Sequence, residues 1–172
     1  MNYNFQSEIP KDFSRHSRVW IYQANRQFTV DEAILVEELL EGFANSWLSH
    51  GIEVKGYANL FFGQFIIFIA DESTTGVSGC STDSSVRLVK EIEQDQCISL
   101  FDRQNLGFII QETIRLIPLK EINIAIDDQL INPESLYFNN TVQTLGELLN
   151  NWIIPIKNSW LADKFSITVS HS

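Results

Sequence analysis

Gly63-Gln-Phe-Ile-Ile-Phe-Ile-Ala70 is the stretch on which the fold turns. Residues 65–70 are apolar at every position, so both faces of an extended chain would be covered. That predicts a strand lying centrally in a sheet. The run is also far short of the ~20 residues a membrane helix needs.

Upstream, residues 52–58 are β-rich and are joined to this strand by Asn59 to Phe62, which predicts a hairpin. Further back, Arg18-Val-Trp-Ile-Tyr-Gln-Ala24 is dense in β-branched and aromatic residues and predicts a first strand. Between them a helix is expected over 30–50. Thr29 can cap it, and Glu32 three residues later completes a capping box. Leu35, Leu39, Phe43 and Trp47 recur at spacing four as one buried stripe, and Gly51 is a natural stop. His50, at the helix end, is placed to bond free carbonyls.

Downstream, residues 71–79 predict a polar loop, with Asp71 and Glu72 as a solvated acidic pair at its start. A second helix is expected from Ser81–Asp83 to about Gln96, with Val86, Val89 and Ile92 inward. Residues 98–101 are read as the next strand. The order β-α-β-β-α-β predicts an α+β fold with an antiparallel or mixed sheet and helices mainly on one face, ferredoxin-like in its core. Beyond it the pattern is coarser. Strands are expected within 108–118 and at 136–138, helices at 119–130 and 144–150, and an extended 152–155 before Pro155.

At 172 residues, 44% hydrophobic and 20% charged, the chain fits one domain over 1–172, with a polar, partly mobile lead-in at 1–17 and a tail at 161–172. A net charge of −10 opposes phosphate backbones and anionic lipid, so neither nucleic acid nor a membrane is expected as partner. Two cysteines, Cys80 and Cys97, make no disulfide scaffold, and a polar N-terminus offers no signal peptide, so a cytoplasmic location is expected.

Chemistry concentrates at Ser78-Gly79-Cys80-Ser81-Thr82-Asp83-Ser84-Ser85, a loop-to-helix junction. Free N–H groups at a helix start favour anions and lower a thiol's pKa. Cys80 is thus a candidate reactive thiolate, and Ser81, Thr82, Asp83, Ser84 and Ser85 a candidate cradle for a small anionic ligand. A capping role for the hydroxyls and a packed Cys80 fit the same residues. A thiol enzyme would need a base, for which His50 or His16 is available, with Asp71 or Asp102 as orienter. Asp71, Arg87 and Arg103 are further candidate ligand contacts. Arg18, Arg26, Arg87 and Arg103 would either gather round an anion or neutralise Asp71, Glu72 and Asp102. His171 falls in the tail.

Three histidines and two cysteines show no zinc spacing, and no cofactor is expected. Gly51-Ile-Glu-Val-Lys-Gly56 has P-loop spacing, but Tyr57 and Ala58 stand where lysine and a hydroxyl must be, which excludes P-loop nucleotide hydrolysis. Trp152, Trp160 and the following Phe165-Ser-Ile-Thr-Val169 would form an adhesive edge if exposed, pointing to a homodimer or another protein partner.

Ser17-Arg-Val-Trp-Ile-Tyr-Gln-Ala-Asn-Arg26, Ser78–Ser85, Leu100-Phe-Asp-Arg103 and Trp152-Ile-Ile-Pro-Ile-Lys-Asn-Ser-Trp160 together resemble a family of small bacterial proteins that often carry the label "ABC transporter ATPase". The resemblance implies a stand-alone bacterial protein and transfers no catalytic residue. The label itself requires a Walker A loop and an L-S-G-G-Q signature, which this sequence lacks. The expectation is therefore a binding or interaction module, with a thiol enzyme at Cys80 or an accessory subunit docking through residues 152–169 as alternatives.

Overall fold

The computed structural model describes residues 2–73 and 79–168, without the side chains of 79–81, 167 and 168. In chain order its elements are β1 (Arg18–Gln23), α1 (Val30–Asn45), β2 (Leu48–Ser49), β3 (Ile52–Glu53), β4 (Lys55–Phe61), β5 (Phe65–Asp71), α2 (Gly79–Gln96), β6 (Asn105–Ile110) and β7 (Thr113–Pro118). These are followed by α3 (Ile122–Asp127), β8 (Leu136–Phe138), α4 (Leu145–Asn151), β9 (Ile153–Pro155) and α5 (Ala162–Thr168). The fold is α+β, with every strand pairing antiparallel. The chain divides into two compact units. One holds Asn2–Asp102 and Val142–Leu149, the other Arg103–Thr141 and the chain from Asn150 onward.

In the first unit the sheet order is β1-β5-β4. All seven residues of β5 are buried, as its apolar run requires of a central strand. Strand alternation then separates two faces. Ile66, Phe68 and Ala70 turn to the side where Val36 and Leu40 of α1 and Val89 and Ile92 of α2 complete a core. Both long helices therefore cover one face, as the element order predicts. Within that core the Trp47 indole sits 6.1 Å from the rings of both Trp20 and Phe68. Gly56 of β4 makes room for it, since a Cβ there would collide with the indole.

The opposite face is covered by residues 2–17. Far from a mobile lead-in, this segment buries Phe5 and Ile9. Phe5 meets Phe61 edge-on at 6.4 Å, and the Tyr57 hydroxyl donates to the Glu8 carbonyl at 3.0 Å. Two apolar anchors in an otherwise polar stretch are enough to tie it down.

Four further expectations are corrected. α1 ends at Asn45, not at residue 50. Residues 48–53 form the β2–β3 hairpin, and His50 and Gly51 make its turn with φ of 50° and 77°. Gly51 marks a left-handed position, as expected, but in a hairpin. His50 is exposed at the turn and caps no helix. The buried face of α1 is Val36 and Leu40 flanked by Ala33 and Phe43, while Leu35 and Leu39 face outward. Residues 98–101 form no strand. They are held by Asn25 N donating to the Ser99 carbonyl and Leu100 N donating to the Glu93 carboxylate, so the described sheet stops at three strands and does not complete a four-stranded ferredoxin-like one. The outer edge of β1 is met by residues 142–149. Val19 N donates to the Gln143 carbonyl, and Leu145 N to the Ser17 carbonyl, each at 2.9 Å.

The second unit carries the sheet β7-β6-β8-β9. β6 and β7 form a two-residue hairpin closed by Gln111 and Glu112, and α3 lies near the middle of the expected 119–130 helix. Its core gathers Phe108, Ile117, Ile122, Tyr137, Ile156 and Leu161. Trp152 is fully buried, with its Nε1 donating to Asn140 at 3.0 Å, so it supplies no adhesive edge. Trp160 is half-exposed, and the residues expected as an edge after Phe165 are helical as far as Thr168. Val169 and His171 lie outside the described residues.

Candidate functional site

The junction singled out by the sequence opens α2 from Gly79, so Cys80 stands in its first turn. The side chains of Cys80 and Ser81 are outside the described residues. Ser85 is fully buried and its hydroxyl donates to the Thr82 carbonyl at 2.8 Å, which closes it to a ligand. Thr82 and Ser84 are half-buried and Asp83 exposed. His50 and His16 are both exposed, and neither imidazole holds a hydrogen bond or ion pair among the described residues.

Two of the four arginines are already taken up by carboxylates. Arg18 pairs with Glu72 at 3.4 Å and lies over the Trp20 ring. Arg26 grips Glu32 with both Nη atoms, at 2.8 and 2.9 Å, and also reaches the Gln96 carbonyl at the end of α2. That guanidinium, with the Thr29 N–H, holds the Glu32 carboxyl at about 2. Arg87 is exposed on α2 in the first unit, and Arg103 is exposed in the second.

Asp71 departs most from expectation. It is a buried carboxylate, 2% exposed, and not part of a solvated pair. Burial pushes its carboxyl up, but hydrogen bonds from Ser14 N and from Ser73, helped by the Lys55 ammonium, outweigh that and hold it at about 2. Ser14 N and Ser73 N each donate at 3.0 Å, and Lys55 Nζ lies 3.7 Å away while also bonding the Asp12 carbonyl at 2.6 Å. Asp71 thus clamps the N-terminal segment to the sheet. No group of three or more histidine, cysteine or carboxylate side chains among the described residues could hold a metal.

The surface that stands open is on α1. Val30, Ile34, Leu35 and Leu39 are between 42% and 77% exposed on this 16-residue helix. Asp31, Glu32, Glu37, Glu38 and Glu41 share the helix with no basic residue. A groove of about 310 Å³ runs beside it, lined by Leu35, Leu39, Glu38 and, from the end of α2, Asp95 and Gln96. Gly42 adds a bare spot, because a Cβ there would touch nothing within 4 Å. The sequence hid this surface: Leu35 and Leu39 have core spacing, so a search for periodicity assigns them inward.

Among the described residues, no helix is long and apolar enough to cross a membrane. No protein-family model, curated protein or solved structure matches the chain.

Proposed function

We propose that the chain is a non-catalytic interaction module that docks a cationic amphipathic helix on the outer face of α1. The observation that carries this reading is the combination on one helix of exposed leucines and several carboxylates with no basic residue among them. Apolar anchors at helical spacing, set beside an apolar groove, suit the packing of a second helix. The acidic rim of Glu38 and Asp95 fixes the sign of the partner's charge. A second copy of this chain is a poor occupant, because the twofold contact would set acidic α1 against acidic α1.

The test is binding of a fluorescent helical peptide built of leucine on one face and lysine on the other, followed by anisotropy at 150 mM salt. The wild-type chain binds it. Leu35→Asp with Leu39→Asp adds negative charge, yet weakens binding at least tenfold while leaving the melting temperature within a few degrees, since both residues are already exposed. Equal or tighter binding by the double variant would mean that bulk charge alone attracts the peptide and would end the proposal.

A further inference from the structure

A second concavity lies in the first unit, between the N-terminal segment and α4. It has a volume of about 280 Å³ and is walled by Ile9, Phe13, Leu145 and Leu149, with Lys11 and Arg15 among its lining residues. No carboxylate lines it among the described residues. In a chain with 12 basic and 22 acidic residues, that is an unusual place for two cations. Elsewhere four basic side chains, Arg18, Arg26, Lys55 and Lys157, each sit against a carboxylate. Lys11 and Arg15 hold no ion pair or side-chain hydrogen bond among the described residues. Asp12, between them, is engaged by Lys55 at 3.1 Å.

The site is also held in shape. The Arg15 carbonyl accepts from Gly146 N at 2.9 Å, and the Ser17 carbonyl from Leu145 N at 2.9 Å, so the cation-bearing segment is bonded to the start of α4. A Cβ at Gly146 would lie 3.4 Å from the Arg15 oxygen, an ordinary contact, so the two segments pack closely without strain. Ser14, next to Arg15, is fixed from the other side by Asp71 at 3.0 Å. The walls are thus set before any ligand arrives, and preorganisation lowers the cost of binding.

We infer that this concavity binds a small carboxylate with an apolar body, the acid facing Lys11 and Arg15 and the body against Phe13 and Leu149. The volume falls just below the ~300–1,000 Å³ of ligand pockets, which limits the body to one ring or a short chain. Arginine suits the carboxylate because its fork can bond both oxygens.

Three probes on the full chain separate the contributions, with binding read by calorimetry or chemical-shift change. Phenylacetate supplies acid and ring, benzyl alcohol the ring alone, and inorganic phosphate the charge alone. Phenylacetate binds at least fivefold more tightly than either of the others. Arg15→Gln and, independently, Lys11→Gln each weaken phenylacetate three- to tenfold and leave benzyl alcohol unchanged, and both side chains are exposed, so both variants keep their fold. Phosphate binding as well as phenylacetate would reduce the site to surface charge and overturn the inference. Phenylacetate affinity indifferent to both variants, or no binding at millimolar concentration, would overturn it equally.

Discussion

Asp71 shows how one carboxylate can fix an entire segment. Its oxygens accept from Ser14 N and Ser73 N, and Lys55 ties the same carboxylate to residue 12. Because the carboxyl is held at about 2, below the usual 3.8, its stabilisation is complete above pH ~4 and is lost as pH falls through ~2. Asp71→Asn should cost about 2 kcal/mol at neutral pH, and denaturant titrations from pH 4 to 2 should fall less steeply for the variant than for the wild type. Parallel acid limbs would show that the clamp contributes nothing. The residue was visible in the sequence as the acid ending the apolar strand. Its burial was not, because the covering segment reads as polar, and only Phe5 and Ile9 reveal that it packs. Lys11 and Arg15 are hidden for the same reason, since residues 1–17 read as a polar lead-in.

At the scale of the element, local chemistry was legible wherever it is local. The Thr29–Glu32 capping box forms as its spacing predicts, and α1 starts at Val30. The end of α1 and its inward face depended on distant partners. A helix with apolar residues on two sides can present either inward, and Trp47 reaches the core only after the chain has left the helix. The β6–β7 hairpin shows the converse. Gln111 and Glu112 both take positive φ, 50° and 60°, in a two-residue turn that favours Asn-Gly. The turn was therefore unreadable from its residues. Gln111→Asn with Glu112→Gly should raise stability by roughly 0.5–1 kcal/mol, seen as a shift of the denaturation midpoint at unchanged slope. A lower midpoint would mean that the native side chains have uses beyond the turn.

On the scale of the whole molecule, class and helix placement followed from element order, but the division into units did not, because it rests on where the chain goes after residue 102. Residues 142–149 return to the first unit and bond the free edge of β1 through Gln143, Thr144 and Leu145. A fragment ending at Asp102 lacks them and exposes that edge to other chains. Such a fragment should self-associate at micromolar concentration in size-exclusion chromatography. A monomeric fragment with a cooperative melt would show that the returning segment is dispensable. The same detour sets a timetable at the ribosome. Once residue 102 is made, β1 waits for residues 103–149, roughly 2–9 s at ~5–20 residues per second, and during that interval the nascent chain carries an open strand that a chaperone, or a neighbour on the same polysome, can meet first.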